Sequence, residues 1–287
     1  MNSLMEITYY LHSGFSCAID SNLLIFDYWL GEQKELDKDC QLTVEKLKEY
    51  SNVYVFISHK HPDHFDQIVY EWYPDVKVNY IVSYDMPVGT RGKRMSPGDV
   101  YQINEHMSVY AYDSTDLGVS FLIQYDDINI FHAGDLNFWH WRDESTAKEI
   151  DEAETQFKKA VEPLTKQKID IAFFPVDPRQ GRMFDAGANY FILQVKPRVM
   201  IPMHFWKRTE IAVEFARRCK TRDTEIIALT QSGEKMIVDI EDNNMIINVY
   251  KKEVGKRIEK RENQIDFSSL NNNDPFVDSD LPVKLDE

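Results

Sequence analysis

Cysteine is scarce: Cys17, Cys40 and Cys219 are the only three in 287 residues, odd in number and far apart. That excludes a disulfide scaffold and points to a reducing compartment. Glycine and proline, at 11 each, are too few for a collagen-like or low-complexity chain. No apolar run approaches the ~18 residues that a membrane span needs. The first 20 residues carry Glu6, His12 and Asp20 where a signal peptide would be basic and then apolar. Positive charge is short as well, with 33 Lys and Arg against 48 Asp and Glu, a formal net charge of −15. Such a surface repels polyphosphate and anionic lipid, which argues against membranes and long nucleic acids as partners. A small anionic substrate in a locally positive pocket is not excluded. These absences describe a soluble, cytoplasmic protein.

What is present is core material: 43% hydrophobic and 28% charged residues, ordinary for one large globular domain or two small ones. Strand patterns cover residues 7–11, 15–19 and 23–26, followed by a helix over 42–50. Residues 53–57 are wholly apolar, as in a strand covered on both faces, and a short helix follows over 65–72. Strands return at 77–82, 100–103, 107–112, 119–124 and 128–132. Thr146 and Glu149 match a capping box for a helix over 146–162. Then come a strand (169–176), a helix (186–195), a strand (199–203), a helix (208–220) and a final strand pair (226–229 and 235–240). Strand blocks that twice finish in helices suggest two packed sheets with helices outside. The folded domain is expected over residues 1–240. Residues 241–287 read as an acidic, partly flexible C-terminal extension, with six acids against one Lys in 266–287.

The densest chemistry is His59-Lys60-His61-Pro62-Asp63-His64, directly after the apolar strand. Three imidazoles and a carboxylate within six residues form a metal site. In extended chain His59 and His61 point the same way, while Asp63 and His64 lie past the bend. Imidazole with carboxylate suits Zn²⁺, Mn²⁺ or Fe²⁺. One loop cannot close two coordination spheres. His132-Ala133-Gly134-Asp135 and Pro202-Met203-His204 end later strands and can converge on it. A serine nucleophile elbow, a dinucleotide fingerprint and a Walker A motif are all missing.

With these motifs in order over roughly residues 5–240, the chain resembles the metallo-β-lactamase superfamily, in its UlaG-like branch of metal-dependent hydrolases. The matching elements are H-x-H-x-D-H at 59–64, H-A-G-D at 132–135, P-M-H at 202–204, L-H-S-G at 11–14 and the strand-ending Asp27. The resemblance implies an αββα sandwich, two mixed β-sheets flanked by helices, with two divalent ions at the sheet edges. It assigns His59 and His61 to the first ion, Asp63, His64 and His204 to the second, and Asp135 to a bridge between them. The third histidine usual for the first ion is missing. Its place reads Asp113-Ser114-Thr115-Asp116, so Asp116 is expected there, with Asp113 as the fallback, and a carboxylate favours Mn²⁺ or Fe²⁺. His12 and Asp27 are expected to orient the ligating imidazoles, and His132, three residues from Asp135, either to do the same or to ligate the first ion itself. Asp135 and Asp63 carry the catalytic roles, the first orienting the attacking water, the second a candidate proton carrier to the leaving group.

His106 reads as a surface histidine, while His140 in Phe138-Trp139-His140-Trp141 belongs either to the core or to a pocket wall. Lys60, Arg91, Arg94 and Arg179 are candidate anion binders. The expected activity is hydrolysis of a small ester, lactone or phosphorylated metabolite. A phosphodiesterase or nuclease, and a metal-binding scaffold without catalysis, are the competing readings. A β-lactam-cleaving role fits poorly with a chain lacking an export signal. The substrate itself, and the oligomeric state, a homo-oligomer included, stay open.

Overall fold

Strand-forming residues arrive in separate blocks, and each block builds its own sheet. In the computed structural model, which describes residues 3–219, 221, 223–241, 244–251 and 259–263, the first block gives β1 (Ser3–Tyr9), β2 (Phe15–Ile19), β3 (Asn22–Phe26), β4 (Asn52–Ile57), β5 (Val78–Ser83) and β6 (Lys93–Met95). The second gives β7 (Val100–Gln102), β8 (Met107–Tyr112), β9 (Ser120–Tyr125), β10 (Ile128–His132), β11 (Ile171–Pro175), β12 (Val199–Met203) and β13 (Glu225–Ile226). The chain then returns to the first sheet with β14 (Lys235–Glu241), β15 (Asn244–Lys251) and β16 (Glu259–Asn263). Among the described residues the strand orders are β16-β15-β14-β1-β2-β3-β4-β5-β6 and β13-β12-β11-β10-β9-β8-β7.

Both sheets are mixed, and each switches once from antiparallel to parallel pairing. In the first, β2 and β3 are antiparallel while β3, β4, β5 and β6 run parallel. In the second, β9 and β10 are antiparallel while β10 to β13 run parallel. The loops that carry the chemistry leave the carboxyl ends of parallel strands, the place where open α/β sheets present ligand-binding residues.

Phenylalanines weld the two sheets together. Phe15 meets Phe173 at a centroid distance of 4.4 Å, and Phe56 meets Phe121 at 5.6 Å. On its outer face β4 buries Val53, Val55 and Ile57 with Leu47, Trp72 and Val82. Burial on both faces explains why residues 53–57 show no polar alternation. The helices α1 (Val44–Leu47) and α2 (Ile68–Glu71) cover that outer face; α3 (Ala147–Val161), α4 (Ala186–Val195) and α5 (Thr209–Arg218) cover the second sheet. The layers are helix, sheet, sheet, helix. The capping box at Thr146 forms as expected, with Glu149 accepting from the Thr146 backbone N–H at 2.7 Å.

Several elements differ from the sequence reading. The helices expected over 42–50 and 65–72 shrink to the single turns α1 and α2. The expected final strand pair is no pair: β13 lies on the second sheet and β14 on the first. The sheet also runs past residue 240, because Met245 and Ile247 alternate inward beside Met236 and Val238 and lengthen the same buried face. The acidic stretch 266–287 lies outside the described residues.

Candidate metal centre

The centre starts at a serine between two glycines. Ser58, one residue past β4, donates from its backbone N–H and its hydroxyl to the two oxygens of Asp27, at 2.8 and 2.6 Å. Gly118, at φ +76°, presses on the Ser58 carbonyl so closely that any Cβ there would collide with it. Gly134, at φ +53°, would place a Cβ 2.7 Å from the Ser58 Cβ. Only glycine tolerates both the backbone conformation and the approach. Loops from the two sheets are thereby clamped around the residue that precedes His59.

From that anchor the imidazoles converge. His59 Nε2 lies 3.0 Å from His61 Nδ1 and 3.5 Å from Asp135 Oδ2. Asp135 Oδ1 lies 3.0 Å from His64 Nε2 and 3.2 Å from His204 Nε2. Asp63 Oδ2 lies 4.0 Å from His204 Nε2 and 3.2 Å from His12 Nε2. His61 Nδ1 is 3.8 Å from Asp116 Oδ2. Three overlapping sets of metal-capable atoms result: His61, Asp116 and Asp135; His59, His64 and Asp135; His12, Asp63, His64 and His204. Asp135 sits between them, turning one oxygen to each side.

These atoms want a cation. His64 Nε2, His204 Nε2, both nitrogens of His12 and Asp135 Oδ1 are buried without a hydrogen-bond partner. Unpartnered polar atoms in a protein interior are costly. His64 Nε2 and His204 Nε2, which converge within 3.2 Å of Asp135 Oδ1, together with that oxygen fit a bound divalent metal. The outward nitrogens are held as metal-binding histidines require. His64 Nδ1 meets Asp27 Oδ2 at 2.8 Å, and His204 Nδ1 meets Asp177 Oδ2 at 2.8 Å.

Electrostatics follow this layout. Burial alone would lower the pKa of His204, but Asp135 and Asp177 outweigh it and push it up to about 9. Burial likewise opposes the charge on His64, and Asp135 with Asp27 raises it well above the ordinary value. His59 goes the other way, lowered to about 4 by burial and by His64. Burial works against the Asp135 carboxylate, yet His64 and His204 hold its pKa well below the usual range.

Each residue singled out from the sequence has a definite place. Asp116, half exposed, faces the cluster, whereas the Asp113 carboxylate accepts from the Ser114 backbone N–H at 3.0 Å. His132 uses both nitrogens away from the cluster, Nε2 donating to the Ser13 carbonyl at 2.9 Å and Nδ1 accepting from the Gly134 N–H at 3.2 Å. Its ring stacks on Phe26, 5.2 Å between centroids. His12 is placed differently from the orienting role expected of it. The turn after β1 gives it φ +57°, and its Nε2 joins Asp63, His64 and His204 in the third set. His106 pairs with Asp126 at the surface, and His140 is buried, donating from Nε2 to the Met183 carbonyl. Arg91 lies over Tyr73 and Arg94 donates to the carbonyls of Tyr84, Met86 and Pro87. Arg179 alone of the four candidate anion binders lines the cavity above the cluster.

That cavity holds about 600 Å³. His61, Asp63, Asp116 and Asp135 form its floor; Trp29, Trp139, Trp141 and Trp206, four of the five tryptophans in the chain, stand around it.

No protein-family model matches the chain, and no curated protein sequence matches it. Solved structures do. Igni18, described as a novel metallo hydrolase from the archaeon Ignicoccus hospitalis, superposes with a TM-score of 0.60 at 17% identity, over 83% of this chain and 100% of that one. A putative metal-dependent hydrolase from Parabacteroides distasonis gives 0.55 at 17% identity, over 80% and 94%. The metallo-β-lactamase fold protein YhfI from Bacillus subtilis gives 0.52 at 11% identity, over 81% and 98%. The chain has the metallo-β-lactamase fold.

Within that fold, sequence reasoning passed over Asp177, Ser58, Trp29 and Trp206. Asp177 leaves an apolar strand as Asp27 does, one step past Val176, and carries the same task of holding a ligand histidine. Arg179 grips it too, with Nη2 donating at 2.6 Å to Oδ2, the same oxygen that His204 Nδ1 meets. That shared pattern was a usable signal. For Trp29 and Trp206 there was none, since they meet the cavity only in three dimensions. Trp139 and Trp141 belong to the aromatic cluster left between core and pocket wall, and they stand in the wall.

Proposed function

We propose that the chain is a metal-dependent hydrolase acting with two divalent ions on a small ester, lactone or phosphorylated substrate. The observation that carries this reading is the set of buried, unpartnered imidazole and carboxylate atoms of His64, His204 and Asp135, gathered around the Asp135 that lies in the floor of a cavity of ligand size. His59, His61, Asp116 and Asp135 would hold the first ion; Asp135, Asp63, His64 and His204, with His12 beside them, the second. Divalent cations bound there supply Lewis acidity to a carbonyl or phosphoryl oxygen and acidify water from about 15.7 towards about 7.

The chain's own groups do the rest. Asp135, with one oxygen on each side, fixes where an attacking water can sit. Asp63 is partly open to the cavity and close to His12, which suits it to pass a proton to the leaving group. Arg179, gripped by Asp177, offers charge to an anionic part of the substrate. The indoles restrict water around the reacting bond. Glu32 in the wall, with the −15 net charge, favours a small molecule over a polynucleotide. The resemblance to the UlaG-like branch supports lactone or phosphodiester chemistry, and the scarce, scattered cysteines support a cytoplasmic setting.

Metal analysis of the purified protein, followed by a panel of ester, lactone and phosphodiester substrates, tests the reading. Near two metals per chain with turnover on at least one class is the expected result. Metal bound with no turnover on any class would leave a scaffold in place of an enzyme.

A further inference from the structure

A second cavity of about 420 Å³ opens beside the first. The two share Trp29, Glu32 and Trp206, so they are compartments of one cleft divided by a pair of indoles. The inner end of the second compartment is His12, whose ring lies 5.6 Å from Trp29 and 4.5 Å from Trp206. His12 Nε2 in turn faces Asp63. Whatever fills this compartment therefore touches the ring that borders the metal cluster.

Its chemistry differs from that of the cavity over the cluster. Leu11, Trp29 and Trp206 supply apolar walls; of the charged residues that line it, Lys207 Nζ pairs with Glu35 Oε1 at 3.0 Å and Arg208 with Glu210, while Glu32 lies on the side shared with the first cavity. Trp206 is held in place against backbone cost. It has φ +53°, unusual for a bulky residue. Its Nε1 donates to Asp177 Oδ2 at 3.4 Å and the Arg179 guanidinium lies 4.9 Å over its ring. A strained conformation fixed from several sides is a feature of ligand clamps. Sugar hydroxyls would find few partners between Leu11 and two indole rings, whereas methylene or aryl groups lose nothing there.

We propose that this compartment receives an apolar arm of the substrate, an acyl or arylalkyl chain, while the scissile group lies over Asp135. The proposal rests on the hydrolase reading and narrows it from small esters in general to amphiphilic ones. Each buried methylene contributes about 0.8 kcal/mol, so kcat/KM rises roughly fourfold per carbon until the compartment is full.

The test uses the metal-loaded protein and p-nitrophenyl esters from acetate to octanoate. The readout is the ratio of kcat/KM between octanoate and acetate. A ratio of ~10² or more is expected in the wild type, collapsing to near one in Leu11→Trp, which fills the compartment; Leu11→Phe serves if that variant does not fold. Binding is read independently by titrating octanoate and acetate against tryptophan fluorescence, since Trp29 and Trp206 line the compartment. Octanoate that binds tighter than acetate, with the preference lost in the Leu11 variant, supports the subsite even if no ester is turned over, in which case the ester form of the hydrolase reading alone falls. Turnover with a flat chain-length ratio and no Leu11-sensitive binding overturns the subsite and leaves the hydrolase reading standing.

Discussion

Asp135 answers to two sets of histidines at once, which makes it the residue whose charge counts most. Its Oδ2 faces His59 and its Oδ1 faces His64 and His204. Asp135→Asn keeps the shape and removes the charge that offsets two neighbouring cations. One of the two metals should be lost on dialysis, and hydrolysis should fall by ~10²-fold or more, as for other preorganised electrostatic elements. Two metals retained at full turnover would move the bridge elsewhere, with Asp116 next to examine. A second consequence concerns protons. Without metal, His204 with its pKa near 9 and the still charged His64 carry protons at pH 7. Raised pKa values mean that this part of the metal-free protein's stability is complete below about 6.5 and is lost as pH rises towards 9. Metal must expel those protons, so its affinity should climb over the same range. Calorimetric titration at pH 7 in buffers of different ionisation enthalpy should show proton release. Heats independent of the buffer would mean that these rings are neutral before metal arrives.

At the scale of elements, the strands were legible because their burial repeats are regular, and the short helices were not. β2, β8, β10, β12 and α4 have the bounds that the residue patterns gave. The segments 42–50 and 65–72 carry helical spacing, yet one turn each suffices to bury Leu47 and Val69, and the flanking chain is needed for loops. β15 was missed because its inward Met245, Ile247 and Val249 were read with the polar stretch around them. The proposed ligand motifs were legible for a different reason: six residues of one loop carry four of the side chains proposed as ligands. His12 was harder, since a lone histidine in a turn gains its meaning from the positive φ that aims it at the cluster. The clamp on Ser58 was invisible, because Gly118 and Ser58 belong to loops from different sheets. Gly118→Ala should therefore act at a distance from its own strand. The new methyl must push the Ser58 carbonyl away, shifting His59 and the Asp27 contacts together. Both the melting temperature and the metal content should fall. Metal content unchanged at a lowered melting temperature would confine the clamp to folding and detach it from the site.

On the scale of the whole molecule, the cluster ties the two sheets together. His12 and the loop after β4 belong to the first sheet, whereas Asp135 follows β10 and His204 follows β12 in the second. Every proposed ligand precedes residue 205, so truncation after residue 265 should leave metal content unchanged. A loss would show that the acidic end bears on the site. Chelation should have the opposite character. Metals that bind only the folded chain stabilise it by about 4 kcal/mol at a thousandfold excess over Kd. For a domain of this size that corresponds to roughly 8–16 °C in melting temperature. Removing them also leaves the Asp116 and Asp135 carboxylates beside each other without a cation to offset them. The expected result is a melting temperature that drops on treatment with a chelator and recovers when Mn²⁺, Fe²⁺ or Zn²⁺ is restored. His61→Ala should recover less than the wild type, having lost a donor to the first ion. A melting temperature that chelator and metal both leave unmoved would mean that the folded chain holds no ion across its sheets, and the hydrolase reading would lose the chemistry on which it depends.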